Sequence, residues 1–435
     1  GFWEHAGMGV HVTDKESVFA GRRKKILRQL RGQAALFVSP PATLRTRDQE
    51  YPYQPNNDFL YLTGFSEPES ALLLLGSAKG PRSILFLRER KEAEEQWVGE
   101  RLGLKRAKRR FLVDEVREFS SLGTELPGLA KGCTVFHYAP GTHPKLDSLV
   151  WSLMQHPVAP RVGQLHTLKD SRHLTAEMRL IKDTSEVALM RRAAEISSAA
   201  HARAMRTARG GQREYQVEAE LVHEFLSQGA RAAAYGSIVA SGANACVLHY
   251  RENSAEMKKG DLLLIDAGCE LDSYASDITR TFPIASRFTA VQRDVYELVL
   301  ASQLAAIKAV KPGAGYDDFH QAAVRVLVRG FIDLKLCRGS VDAVIESGAY
   351  RNFYMHRTGH WLGLDVHGRH ACGPVRAQGV SRRTRHSRRR AGLLRDGRVG
   401  SLRFRAHDPR PERALARRAA PPLPTDVRDF LGLGI

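Results

Sequence analysis

The segment LLLIDAGCELDSYASDITRTFP, Leu262 to Pro283, constrains the fold more than any other part of the chain. Four aliphatic residues run straight into Asp266, and Asp277 follows in a second strand-like stretch. A carboxylate carried into an apolar interior needs a partner of opposite charge. If the two flanking runs pair antiparallel with Asp266 facing Asp277, the midpoint falls between Leu271 and Asp272, inside the turn-like CELDS. Residues opposed in this way hold their Cβ atoms ~4.5–5.5 Å apart. Two such carboxylates can bridge two divalent ions, whose usual spacing in hydrolytic sites is ~3.5–4 Å. The alternative is that one aspartate caps a turn or faces solvent.

Further ligands would favour the metal reading, and the sequence offers candidates. FYMHRTGHWLGLDVHG supplies His356, His360 and His367 among large apolar residues, and SGANACVLHY supplies His249. Gly359 and Gly363 argue against a regular helix there. A single histidine in apolar surroundings is usually a satisfied core residue; three within twelve positions are harder to explain in that way.

At 435 residues the chain is long enough for two domains. No apolar run approaches the ~20 residues of a membrane helix, and no charged-then-apolar leader opens the chain, so the cytoplasm is the expected compartment. The cysteines Cys133, Cys246, Cys269, Cys337 and Cys372 are odd in number and form no CxxC, which points to reduced thiols. The formal charge of +19 suggests a polyanionic partner until its position is considered. Residues 368–435 hold seventeen Arg, no Lys and five acids, so most of the excess belongs to one tail. Its run RAQGVSRRTRHSRRRAGLLRDGRV has no sustained period and no aromatic residues interleaved for base stacking, so nucleic acid is not expected as a partner. Exclusive Arg with Ala, Pro and Gly is what a GC-rich coding sequence yields in a shifted frame. The tail is expected to be disordered or frame-shifted.

The pattern before the tail is α/β. A basic helical pattern spans Arg22–Leu30, and strands are expected at Ala34–Val38, Ala71–Leu75 and Ile84–Leu87. HPVAPRVG, 156–163, reads as a connection between domains. The second domain opens with a helix marked by a capping box at Asp183 and Glu186, with Leu189, Ala193, Ile196 and Ala200 on one face. A second helix from Tyr215 to Leu226 would turn Val217, Leu221, Phe225 and Leu226 inward. Strands around Ile238, Leu262–Ala267 and Ile278–Phe282 precede helices near Ala290–Val310 and Tyr316–Arg329.

NNDFLYLTGF, ASGANACVLHY, LLLIDAGCELDSYASDITRTFP and MHRTGHWLGLDVH resemble, in order, motifs of the aminopeptidase P family, the Xaa-Pro aminopeptidases of the creatinase and methionine aminopeptidase ("pita-bread") fold. The chain resembles that family over roughly residues 14–367. The resemblance implies an N-terminal creatinase-like α/β domain over 8–170, with Met8 taken as the natural start. It also implies a pita-bread metallopeptidase domain over 178–367, incomplete at its C-terminal end. By motif position Asp266, Asp277 and His360 match metal ligands of a two-ion site, usually Mn²⁺, with Co²⁺ or Zn²⁺ admissible. His249, His356 and His367 match the catalytic histidines, and Tyr235 and Trp97 match aromatic residues near the substrate. The implied reaction is attack by a metal-held hydroxide on the bond before proline in Xaa-Pro peptides. The implied assembly is a homo-oligomer, dimer or tetramer.

One departure matters. The family's last two ligands are glutamates in segments resembling TVEPG and RIEDD, and neither segment is present; Glu412 is the only glutamate after His367. Weak metal binding, poor catalysis and a less stable second domain are therefore expected. The competing readings are a prolidase-like dipeptidase, disfavoured by the N-terminal motif, and a non-catalytic pita-bread binding protein. The latter would lose its ligands piecemeal rather than all beyond one point.

Overall fold

The computed structural model describes residues 12–77, 80–154, 165–284, 287–368 and 401–402. The connection expected at 156–163 lies outside them, as does nearly all of the Arg-rich tail. The chain divides into two units, Gly1–Arg179 and Leu180–Ile435.

The first unit is built on a six-stranded mixed sheet of β1 (Gln33–Ser39), β2 (Ser70–Ser77), β3 (Gly80–Leu87), β4 (Glu115–Glu118), β5 (Val135–Tyr138) and β6 (Thr167–Lys169). Its order is β4-β3-β2-β1-β5-β6. The inner pairs β1–β2 and β2–β3 are antiparallel, whereas β4, β5 and β6 join in parallel. The run Leu72–Leu75 is continuous rather than alternating because β2 is covered on both faces, every one of the four being fully buried. Leu73, Ile84, Phe86 and Phe136 pack with the helices Leu122–Leu129 and Pro144–Met154 through Leu126 and Val150. The basic pattern expected over Arg22–Leu30 belongs to a helix that instead runs Val12–Leu27. Arg23 on it is buried and donates to the carbonyls of Leu62, Phe111 and Leu112, so part of the pattern serves the interior rather than solvent. NNDFLYLTGF forms the helix Asn57–Thr63, capped by the Asn56 side chain at one end and by Gly64 in the left-handed region at the other. Asp58 on that helix accepts hydrogen bonds from Thr175 and Arg179, which ties the helix Arg172–Leu180 into this unit beyond residue 170.

The second unit opens with the helix Thr184–Thr207. Its capping box is formed: the Asp183 carboxylate accepts from the amides of Ser185 and Glu186, and Glu186 accepts from the amide of Asp183. Ala193, Ile196, Ala200 and Ala204 are the fully buried stripe. In the helix Glu214–Ser227 the inward set is Val217, Leu221 and Phe225. Leu226, expected inside, is 52 % exposed. Once residues at four-residue steps fix the buried face, the next position is rotated by about 100° away from it. The helices Ala290–Ala309 and Asp318–Asp333 follow. No helix among the described residues is long and apolar enough to cross a membrane.

The central feature of this unit is a bent hairpin. The strands are β7 (Ala232–Ala233), β8 (Ile238–Ser241), β9 (Leu262–Ala267), β10 (Cys269–Leu271), β11 (Tyr274–Ala275) and β12 (Ile278–Pro283). They form two three-stranded sheets, β12-β9-β8 and β11-β10-β7. One register runs through both halves of the hairpin: Ile278 pairs with Ala267, and Leu271 pairs with Tyr274. The turn is therefore Asp272–Ser273, both with positive φ (50° and 67°), the two-residue turn whose twist matches paired strands. This corrects the expected register by two residues, with the centre of the turn moved by one. Asp266 lies opposite Thr279, not Asp277. β9 is buried along nearly all its length, so its hydrophobic pattern could not choose between registers, and the turn chemistry did.

The ladder breaks at Gly268. A Cβ built there would lie 1.9 Å from the carbonyl oxygen of Ser276, while the Gly268 carbonyl accepts from the Ala234 amide at 2.8 Å. The two backbones cross too closely for any side chain, and the hairpin bends between its two carboxylates. Gly268→Ala is expected to destabilise the second unit by about 3 kcal/mol or more through overpacking against backbone. Gly123→Ala, at a helical glycine with open space around it, is expected to be neutral or stabilising by up to about 1 kcal/mol. Urea unfolding of both variants checks the pair; equal midpoints would contradict the close crossing at Gly268.

Candidate active site

Alternation along β9 decides which way Asp266 points. Leu263, Ile265 and Ala267 face the helices, in the cluster that includes Ala193, Ile196 and Phe225. Leu264 faces the other way with Ile238, Ala240 and Tyr250, and Asp266 shares its face. Asp266 is 7 % exposed and the Asp277 side chain 1 %. Although not paired across the ladder, the two carboxylates converge because the bend swings Asp277 back. The Tyr235 hydroxyl lies 2.6 Å from Asp266 Oδ1 and 2.9 Å from Asp277 Oδ1. One phenolic proton thus serves two buried carboxylates. Burial first, and then the two neighbouring negative charges, hold the Tyr235 pKa well above its usual value, so the phenol remains a neutral donor.

His360 belongs to β13 (Gly359–His360), which pairs with β14 (Ser401–Leu402). The segment is drawn to the hairpin by the Ala275 amide, which donates to the Gly363 carbonyl at 2.9 Å. His360 Nε2 stands 3.1 Å from Asp277 Oδ2, and Nδ1 stands 3.1 Å from the Trp361 carbonyl. The bond from Nδ1 to the Trp361 carbonyl orients the ring so that Nε2 is the atom facing the carboxylate.

The other expected residues are placed less tightly. His367 is exposed, with its ring 4.3 Å from that of His360. His356 is half-buried beside Tyr354, ring to ring 4.7 Å, with Nδ1 2.9 Å from the Arg357 carbonyl. His249 is exposed on the loop that follows the short 3₁₀ turn Gly242–Cys246. Trp97 belongs to the first unit, on the helix Glu92–Val98, and is 87 % exposed. Tyr235, expected to meet substrate, commits its hydroxyl to the two aspartates.

Some contributors were not legible beforehand. His201 is fully buried on the helix Thr184–Thr207, with Nε2 3.0 Å from the carbonyl of Ala267, next to Asp266. One turn earlier, Ser197 meets the Ser276 hydroxyl at 2.7 Å, and both accept from the Cys269 amide, which holds the backbone leading into Asp277. The available signal was a polar i, i+4 pair, Ser197 and His201, on a face otherwise made of alanine and isoleucine. Burial pushes the His201 pKa down to about 4, against the bond to Ala267 that would raise it, so the ring is neutral.

The donor chemistry of Asp266, Asp277 and His360, hard carboxylate oxygens with one imidazole, fits a divalent ion of the Mn²⁺, Co²⁺ or Zn²⁺ kind. The set is not a complete cage. Among the described residues no three His, Cys, Asp or Glu side chains surround one position, and Glu412 lies outside them.

Comparison with known proteins identifies the family. Residues 19–137 match the family model "Aminopeptidase P, N-terminal domain", and residues 188–404 match "Metallopeptidase family M24". The second match runs past His367, as does the β13–β14 pairing, so likeness to the family does not stop where the sequence motifs do. The chain is 42 % identical over 350 residues to the Xaa-Pro aminopeptidase of Haemophilus influenzae and 43 % identical over 359 residues to that of Escherichia coli, covering 80 % of each chain in both cases. A solved structure of the zinc-substituted E. coli aminopeptidase P in complex with product matches with a TM-score of 0.77 at 42 % identity, covering 81 % of both chains.

Two outcomes are expected. Tyr235→Phe removes the shared proton and lowers stability in the presence of chelator by about 1–3 kcal/mol, read from the urea midpoint; an unchanged midpoint would contradict the shared bond. His201 has its folded pKa lowered from the ordinary 6.5, so its contribution is intact above that value and lost as pH falls toward 4. Between pH 7 and pH 5 the wild-type chain should therefore lose about 2 kcal/mol more than His201→Gln. Parallel stability–pH curves for the two would contradict a buried neutral ring.

Proposed function

Because the chain belongs to metallopeptidase family M24 and carries the aminopeptidase P N-terminal domain, we propose that it releases the first residue of peptides with proline in second position. The observation that carries the reading is the convergence of Asp266 and Asp277 on Tyr235, with His360 against Asp277. Asp266, Asp277 and His360 would hold the metal, taken as Mn²⁺ with Co²⁺ or Zn²⁺ as substitutes. Bound divalent ions supply Lewis acidity toward a carbonyl and lower the pKa of water.

The chain's own residues do the rest. Tyr235 keeps the two carboxylates at one spacing, and the Trp361 carbonyl orients the ring of His360. His249, His356 and His367 are proposed to donate to the carbonyl oxygen under attack and to carry a proton to the leaving imino nitrogen, tasks suited to imidazole near neutral pH. Proline lacks an amide hydrogen and has a fixed φ. Recognition of its ring by aromatic side chains, rather than of a backbone donor, would select it. The N-terminal domain favours longer peptides over the dipeptides of a prolidase. The described cysteines are free thiols, consistent with a reducing compartment such as the cytoplasm. A dimer or tetramer is the proposed assembly.

The two missing family glutamates would remove two negative charges from the site, so we take metal binding and turnover to be reduced in this chain. The test is release of the first residue from an Xaa-Pro-Yaa peptide with Mn²⁺ and with chelator, alongside calorimetric titration with Mn²⁺. The expected result is slow, chelator-sensitive release with fewer than two ions per chain. Release undiminished by chelator would overturn the metallopeptidase mechanism, tight binding of two ions would overturn the impairment, and preference for dipeptides would favour prolidase.

A further inference from the structure

Glu214 is the first residue of the helix Glu214–Ser227 and is 0 % exposed. Its Oε1 accepts from the Ser241 amide and hydroxyl, both at 2.7 Å, and from Asn244 Nδ2 at 3.3 Å. Its Oε2 accepts from the Tyr250 hydroxyl at 2.7 Å and from the Ala255 amide at 3.0 Å. The Glu214 amide in turn donates to the Ala255 carbonyl at 3.0 Å. These donors lie at the start, the 3₁₀ turn, the return and the end of one segment, the excursion from β8 at Ser241 to Ala255.

A glutamate placed only to favour a helix N-terminus does so from the surface. Burying a carboxylate costs several kcal/mol unless donors replace its water, and here five donors from a single excursion converge on it. Burial alone would raise the Glu214 pKa, but the bonds from Ser241, Tyr250 and Ala255 outweigh it and hold the group below its ordinary value, hence ionised at neutral pH. Between the anchored points the chain is exposed: Val247 is 53 % and Leu248 40 % exposed, followed by exposed His249. Asn253 adds a second tie at the same base, accepting from the Val239 amide and donating to the Ser237 carbonyl and to Glu218. The excursion is thus rigid at its base and open at its tip.

We propose that Glu214 is a positioning residue that holds the Ser241–Ala255 excursion so that His249 is presented to substrate, an inference that rests on the aminopeptidase reading. Glu214→Gln is the direct variant, since its amide nitrogen must face either the Ser241 pair or the Tyr250 and Ala255 donors. Peptide hydrolysis by the full chain is measured for wild type, E214Q, H249A and the double variant, with hydrogen exchange on E214Q. E214Q is expected to lower kcat/KM by roughly tenfold or more alone but by less than about threefold in the H249A background, because residues acting through one another are not additive. Amides of 241–255 should exchange faster, while those of the helix core around Leu221 do not. Tyr250→Phe, which keeps the carboxylate and removes one donor, should give a smaller loss in the same direction and serves if E214Q does not fold. Equal losses in both backgrounds, or unchanged exchange of the excursion, would overturn the proposal. A wild-type chain without activity counts against the aminopeptidase reading, and exchange then decides Glu214 alone: faster loop amides support its hold and unchanged ones refute it.

Discussion

Two buried carboxylates share one phenol. Asp266 on β9 and Asp277 in the break between β11 and β12 approach the Tyr235 hydroxyl, and the geometry exists because the hairpin bends where Gly268 lets the Ser276 carbonyl pass. Straight strands in the same register would leave Asp277 opposite a glycine and out of reach. The repulsion between like charges in a dry site is the cost the surrounding structure must offset. Neighbouring features serve that end: the Ser197–Ser276–Cys269 bonds hold the bend, His201 pins the carbonyl beside Asp266, and the Gly363–Ala275 bond brings His360 to Asp277.

The same physics separates what could be read in the chain from what could not. The pair Asp266 and Asp277 was legible because charges inside an apolar run are improbable without a cause. The capping box at Asp183 was legible because it is local. The register was not, since a strand buried along both faces has no polar side to mark it, and the deciding signal was the left-handed pair Asp272–Ser273 at the turn. Leu226 was placed inside by composition and outside by helical geometry. Tyr235, His201 and Glu214 act through partners 31, 66 and 27 residues away respectively, and no periodicity reports such distances. Motif likeness located Tyr235 but not its bond to both aspartates.

The catalytic unit can be seen as one rigid hairpin with two attached segments. One, the excursion to Ala255, is fastened at its base by a buried carboxylate and carries His249. The other carries His356, His360 and His367, and is fastened by backbone bonds to the hairpin and by the Tyr354–Thr358–His320 hydroxyl and imidazole contacts behind it.

The central claim is that Asp266 and Asp277 are kept together, against their repulsion, for a divalent cation. Thermal unfolding of the wild-type chain and of a variant carrying Asp266→Asn and Asp277→Asn, each with excess Mn²⁺ and with chelator, addresses it most directly. A ligand that binds only the folded state at a hundredfold excess over its Kd adds about 2.7 kcal/mol, so the wild-type midpoint should rise with Mn²⁺ while the double variant stays unmoved. Equal rises in both chains, or none in the wild type, would contradict the account.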